Sequence, residues 1–281
     1  AVNRFWQSYF GHGLVRTPDD FGAQGTSPSH PKLLDWLAIE FAKSGWDMKH
    51  INRLIVTSAT YRQSARILPE VRKLDPENLW LSHMPRVRLP AEQIRDQALA
   101  ISGLLNQKTG GAPVFPLQTP DYWEKRVLPG KWKNSQGMDR YRRTIYTYWR
   151  RMALHPTLEL LNAPARDNCV VRRNVSNVPT QALALMNDPI FSEAASVFAK
   201  RLLQEINSDE EKRLQQAFRL ALGRSPKEEE KNMFLNYLEQ QGKALAKDDQ
   251  ATKKIADNQK LAVWTLACSV LLNLDETVTR P

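Results

Sequence analysis

The sequence predicts a mainly α-helical protein with long irregular loops, at most a small β element and a C-terminal helical lobe. Two patterns carry that prediction. Apolar residues recur at i, i+3, i+4 and i+7 through much of the chain, and capping or helix-ending residues stand at the edges of those stretches. Residues 143–149, RTIYTYW, are instead β-branched and aromatic with no helical stripe, and are the one expected strand.

In chain order, Val2, Phe5, Trp6, Tyr9 and Phe10 fall on one helix face. Ser29 is the expected cap of the next helix, with Pro31 in its first turn, Leu33, Leu34, Leu37, Ala38 and Phe41 as its stripe and Gly45 at its end. Asp47 caps a third, with Ile51, Leu54 and Ile55 inward, running to about Ser64. Pro90 opens a fourth, whose inner face is Ile94, Ala98, Ile101 and Leu105, with Gly103 near its end. Within 172–189, Ser176 or Asn177 can cap a short helix holding Pro179 in its first turn, and Asn187-Asp188-Pro189 forces a restart. Ser208–Glu211 and Ser225–Glu228 both fit the S-x-x-E capping box, the second with Pro226 at the first helical position. Leu214, Ala217, Phe218, Ala221 and Leu222 form a stripe ended by Gly223. Met233, Phe234, Tyr237 and Leu238 continue to Gly242, and a final helix buries Leu261, Trp264, Cys268, Leu271 and Leu272.

Residues 1–205 are therefore expected to form the main helical domain and 206–281 a C-terminal helical lobe packed on it as one unit. Two segments interrupt the helices. Residues 106–139 carry Gly110, Gly111, Pro113, Pro116, Pro120, Pro129, Gly130 and Gly137, with Val114, Phe115, Tyr122, Trp123 and Trp132 available to pack. Residues 18–31, PDDFGAQGTSPSHP, read as an ordered loop with Phe21 anchored in the core, glycines supplying positive φ, and Asp20 and His30 held near the other polar groups.

The net charge is +10, from 40 Lys and Arg against 30 Asp and Glu. It favours an anionic partner: acidic polysaccharide, a membrane surface or nucleic acid. Interspersed carboxylates and the absence of a nucleic-acid motif disfavour the last. No run approaches the roughly 18 apolar residues of a membrane span. The opening AVNRFWQSYF lacks the parts of a signal peptide and begins inside a helical pattern without Met, so the chain is expected to be a piece of something longer. Cys169 and Cys268 are too few for a Cys₄ zinc site; Cys268 fits a buried free thiol, one disulfide being the alternative. No two of the five histidines stand at i, i+4, and no metal or cofactor is expected in this segment.

Four polar clusters are the candidates for chemistry. The first holds Asp20 and His30, with Arg16 and Asp19. The second is Tyr61, Arg62 and Gln63, a ring, a donor fork and an amide suited to sugars or sulfates. The third is 86–97, where Glu92 and Asp96 share a helix face beside Arg88 and Arg95, as acid–base equipment or as a salt-bridge network. The fourth is 172–189, where Arg172 and Arg173 precede a helix start, an arrangement suited to anions. Asp20, His30, Glu92 and Asp96 are thus the acid–base candidates. Arg62, Gln63, Arg88, Arg95, Arg172 and Arg173 are the ligand-binding candidates, and rings within 122–149 could stack on sugar faces.

The stretches VNRFWQSYFGHGLVRTPDDFGAQGTSPSHPKLLDWLAIEF, GWDMKHINRLIVTSATYRQSA, RLPAEQIRDQALAISGLL, RRNVSNVPTQALALMNDP and FRLALGRSPKEEE, with the closing LLNLDETVTRP, resemble in order the motifs of the planctomycete-type C-terminal domain of unknown function, the PSD family. The resemblance implies a domain of a longer exported protein, periplasmic or at the cell surface, accompanied by cytochrome-c-like domains and found beside polysaccharide-processing proteins. Its partners would be the other domains of that chain and anionic polysaccharide. The haem-attachment C-x-x-C-H of the longer proteins is missing here, so electron transfer would belong to other segments. The expected function is a binding or scaffolding module acting on or near anionic or sulfated polysaccharide, the alternative a glycan hydrolase or lyase using Asp, Glu and His as acid and base.

Overall fold

The computed structural model describes residues 1–118, 122, 132–150, 153–165, 167–206 and 209–280; the Trp123 ring, the Ser208 cap and the breaks at Pro120, Pro129 and Gly130 lie outside the described residues. It is mainly helical, and the chain divides into two compact units, Ala1–Arg88 with Thr279–Pro281, and Leu89–Val278. Among the described residues no helix is long and apolar enough to cross a membrane.

In the first unit α1 (Val2–Phe10), α2 (Pro31–Lys43) and α3 (Met48–Thr57) enclose one core, joined by the short α4 (Ala59–Arg62) and α5 (Pro69–Leu74). The apolar stripes meet largely as spaced, with Val2, Trp6 and Phe10 clustered with Leu37, Phe41, Ile51 and Ile55, while Ala38, expected in the α2 stripe, is exposed. Trp6 stacks on Phe10 at 4.3 Å between centroids, and Phe5 meets Phe41 edge-on at 5.5 Å. The Asp47 carboxylate caps α3 by accepting from the Lys49 and His50 amides. That helix ends at Thr57, short of Ser64, because Ser58 turns extended and its hydroxyl caps α4 at the Tyr61 amide. Strand β1 (Val87–Arg88) pairs antiparallel with β2 (Thr279–Arg280), Val87 opposite Arg280.

The 18–31 loop is ordered by its own polar groups. Thr17 Oγ1 donates to Asp20 O and accepts from the Thr26 amide, Asp20 Oδ1 accepts from the Gly22 amide, and the Ser29 amide donates to Leu14 O. Three expectations are corrected here. Ser29 does not cap α2: its hydroxyl donates to Leu14 O, and His30 takes the N-cap position without a side-chain bond. Phe21 is 60 % exposed rather than anchored in the core. Neither Gly22 nor Gly25 has a positive φ; crowding explains Gly25, where a Cβ would stand 2.9 Å from Thr17 Oγ1 and also collide with Asp20 O.

The second unit contains α6 (Ala91–Ser102), α7 (Pro156–Leu160), α8 (Pro179–Asn187), α9 (Pro189–Glu205), α10 (Glu210–Leu222), α11 (Glu228–Leu245), α12 (Asp249–Ile255), α13 (Gln259–Asn273) and α14 (Asp275–Val278). At its centre α13 buries residues all round, from Leu261 to Leu272, as a helix enclosed by others must. Ala194, Ala195 and Ala199 give α9 a small-residue face around the fully buried Phe198 and Leu202, which pack in one core with Leu99, Phe218 and Trp264. Cys268 is a free thiol inside this core, its pKa pushed up by burial, while the free Cys169 is exposed.

The expected helix ends hold at Gly103 and Gly223, both left-handed C-caps, and at Asp188, which caps α9 directly after α8. Others move. Val178, without a side-chain cap bond, precedes α8, and Asp209 caps α10 by accepting from the Lys212 amide. The start of α11 lies at Glu228, beyond the Ser225 box, because Glu230, gripped by Arg224 at 2.8 and 2.7 Å, accepts from the Lys227 amide. Gly242 does not end that helix, which continues to Leu245.

The expected strand at 143–149 is a 3₁₀ turn, Thr144–Tyr146, flanked by single bridges Asn106–Arg142 and Val114–Thr147. Side chains of α6 hold the start of this stretch and the residues before it, while Tyr146 O accepts from the Val114 amide and the Tyr148 amide donates to Val114 O. Asp96 Oδ1 accepts from both the Thr144 amide (2.7 Å) and hydroxyl (2.6 Å), and Arg95 donates to Arg142 O and Arg140 O.

In the first unit the buried Asn3 amide clamps Val15, accepting from its N–H at 2.9 Å and donating to its C=O at 3.0 Å. Asn3→Ala leaves both buried groups unpaired and is expected to destabilise the protein by about 2–4 kcal/mol, read as a lower urea midpoint. An unchanged midpoint would show that the clamp does not organise this turn.

Candidate functional site

The sequence-derived candidates fall into both units. Asp20, His30, Arg62, Gln63 and Arg88 belong to the first. There Asp20 closes its own turn, His30 Nδ1 lies 3.0 Å from Ser29 Oγ, Gln63 Nε2 donates to Leu81 O, Arg62 is exposed and Arg88 sits half-buried on β1. The pocket nearest the opening loop, lined by His12, Arg16 and Ser29, holds about 50 Å³, room for a few waters. Arg16 is tied to the Glu77 carboxylate and carbonyl, each at 2.9 Å.

Glu92, Arg95, Asp96, Arg172 and Arg173 belong to the second unit, where the 86–97 and 172–189 stretches meet through Arg173 Nη1 and Glu92 Oε2 at 2.7 Å. Arg172 is exposed. Arg95 is 2 % exposed and spends its guanidinium on Arg140 O, Arg142 O and Thr144 Oγ1. Burial lowers its pKa to about 10 against the opposing pull of Asp96 and Asp188. Among the described residues no three His, Cys, Asp or Glu side chains gather to hold a metal ion.

A buried polar cluster lies around α7. Asp188 caps α9 through the Ile190 amide and accepts from the Thr157 hydroxyl of α7; burial raises its pKa. His155, the residue before α7, is 2 % exposed, and its Nε2 stands 3.0 Å from Leu117 O. A carbonyl only accepts, so Nε2 carries the proton of the neutral ring. Desolvation, with a smaller push from Arg95, lowers the His155 pKa to about 4. The ring also meets Trp132 at 5.8 Å, and Trp132 and Tyr148 both pack on Phe115.

In front of this cluster α7 and α8 border an open groove of about 500 Å³. Its flanks are apolar at Pro156, Leu160 and Val178. Its polar groups are amides, hydroxyls and one carboxylate. Asn162, at φ 63° just past α7, donates to Ser176 Oγ at 2.6 Å. Gln181, 1 % exposed, donates to Leu160 O and to Ser176 Oγ. The Tyr122 hydroxyl donates to Glu159 Oε2 at 2.6 Å, the one carboxylate among the described lining residues. The groove can therefore present the Tyr122 ring, the half-buried Asn162 amide and hydroxyl groups to a polyhydroxylated ligand, with the buried Gln181 holding its wall in place. Sequence reasoning named Ser176 as a cap and Tyr122 as a stacking ring, but missed Glu159, Asn162 and Gln181. A signal existed for Gln181: with Pro179 at the first helical position, it shares the inward face of TQALALM with Leu185 at i+4.

The buried His155 gives a pH dependence. Its folded pKa lies below the ordinary value near 6.5, so the unfolded chain binds its proton first, and stability falls as pH drops from about 6.5 to 4. The full loss from this group is about 3 kcal/mol. Asp188, with a raised pKa, acts in the opposite direction, so the readout is the difference between proteins. Stability measured from pH 7 to pH 4 is expected to fall less in His155→Gln than in the parent, and parallel profiles would contradict the assignment.

Neither a curated protein nor a solved structure matches the chain. A family model described as PSD1, a protein of unknown function (DUF1553), matches residues 1–238, which take in both meeting stretches and every groove residue named above. The chain belongs to that family.

Proposed function

We propose that this chain is a binding module for polysaccharide, part of an exported multidomain protein, with the groove between α7 and α8 as its ligand site. The observation that carries this reading is the groove itself. Its volume of about 500 Å³ lies within the roughly 300–1,000 Å³ of small-molecule sites, and an aromatic ring with convergent amide and hydroxyl groups suits hydroxyl-rich chains. The loop that brings Ser176 to the groove carries the exposed Arg172 just before it, next to Arg173, which is paired with Glu92, so sulfate or carboxylate substituents would be met by Arg172. The excess of 40 basic over 30 acidic residues and the polysaccharide setting implied by the family resemblance support the same reading.

Glycan cleavage is the weaker reading. Hydrolysis calls for two carboxyl groups about 5–9.5 Å apart across one cleft. Glu159 is the one acid among the described groove residues, while Glu92 is paired with Arg173 and Asp96 with Thr144.

A screen of sulfated and unsulfated polymers at low and high salt tests the proposal. Binding to a hydroxyl-rich polymer is expected, weakened at least about fivefold by Tyr122→Ala or Asn162→Gly, the latter keeping the left-handed backbone. Arg172→Ala with Arg173→Ala should remove only the salt-sensitive preference for sulfated chains. Binding untouched by the groove variants, or no binding to any polymer, would overturn the reading.

A further inference from the structure

The exposed tryptophans among the described residues, Trp36, Trp46 and Trp80, all lie in the first unit. Two of them belong to α2 and the turn that follows it. This helix directs Leu37 and Phe41 into the core. On its opposite side Lys32, Trp36, Ile39 and Lys43 form one exposed stripe, within about 60° of arc and about 17 Å long. Trp36 is 49 % exposed and Ile39 54 %, on a face that water ordinarily fills with polar side chains. Beyond the stripe, Trp46 stands in the turn at φ 64°, its amide donating to Phe41 O at 2.9 Å. A residue of this bulk rarely adopts a positive φ, and such strain concentrates at sites of recognition. Its ring meets Phe41 at 5.2 Å yet stays 67 % exposed, and Met48, which opens α3, is exposed beside it in sequence.

We propose that the outer face of α2 and the turn after it dock on the surface of an anionic lipid bilayer. Trp36, Ile39 and Trp46 enter the boundary between headgroups and acyl chains, where the amphipathic indole is favoured. Lys32 and Lys43, one at each end of the stripe, lay their stems along the apolar surface and reach the lipid phosphates. The local charge complements such a surface. Of the nearby acids, Glu40 Oε1 lies 2.8 Å from His50 Nε2 and Asp47 accepts from two amides, which leaves Asp35 as the acid opposing the two lysines. A second copy of the chain fits poorly, because antiparallel stripes would set Lys32 against Lys43. The surface lies in the first unit and the α7–α8 groove in the second, so this inference does not rest on the groove.

Co-sedimentation of the whole protein with lipid vesicles tests this. Vesicles of phosphatidylcholine carrying about one-third phosphatidylglycerol are expected to bind at least about tenfold more tightly than phosphatidylcholine alone, and less tightly as salt rises. Lipids brominated on the acyl chain should quench part of the tryptophan fluorescence, and the double variant Trp36→Ala, Trp46→Gly should lose most of that quenching. Ile39→Asp is expected to weaken binding to the anionic vesicles at least about fivefold, as is Lys32→Ala with Lys43→Ala. Every substituted position is exposed, so the urea midpoints of the variants should stay near that of the parent. Absence of binding to the anionic vesicles, binding without quenching by the brominated lipid, or equal binding by the parent and Ile39→Asp would overturn the proposal.

Discussion

The second unit depends on one buried cation. Arg95 carries its guanidinium into the interior at 2 % exposure and meets two backbone carbonyls and a threonine hydroxyl of the 140–144 segment. A buried charge is tolerated only where hydrogen bonds replace its hydration, and here the irregular backbone supplies them. The neighbouring Asp96 completes the grip by accepting twice from Thr144. Two consecutive residues of α6 thereby hold a stretch whose backbone pairing is limited to single bridges at Asn106 and Val114.

The consequences run along the chain toward the groove. With 140–144 held, Thr147 bridges to Val114, and Tyr148 stacks on Phe115 at 4.8 Å. Phe115 meets Trp132, Trp132 meets His155, and His155 leads into α7, one wall of the groove. On the other wall Asp188 joins α7 to the junction of α8 and α9 through the Thr157 hydroxyl. The groove is held together by side-chain hydrogen bonds between short helices and turns, Asn162 and Gln181 to Ser176 Oγ and Gln181 to Leu160 O.

Much of the helical frame was legible because burial imposes a period on it. The stripes of α1, α2, α10 and α13 were read from spacing alone, as were the Asp47 cap and the restart at Asp188. What failed to show were long-range substitutes for local rules. RTIYTYW has the composition of a strand, yet its backbone pairing is one bridge to Val114, and its start is held by Asp96, nearly fifty residues away. Ser29 looks like a cap until Leu14 claims it, and Ser225 until Arg224 positions Glu230. Arg95 itself, read as a ligand-facing donor, gave no local sign that it would be buried. The groove was harder still, since Asn162 and Gln181 gain their roles only when α7 and α8 are brought side by side.

Amide hydrogen exchange at Thr144 tests the central role of the Arg95–Asp96 grip most directly. The account predicts that this amide, in a segment without regular sheet pairing, exchanges as slowly as the core amides of α9, and that Asp96→Asn or Arg95→Met releases it to loop-like rates. Rapid exchange of Thr144 in the parent protein, matching its exposed neighbours, would show that the grip does not hold the segment and would contradict the account.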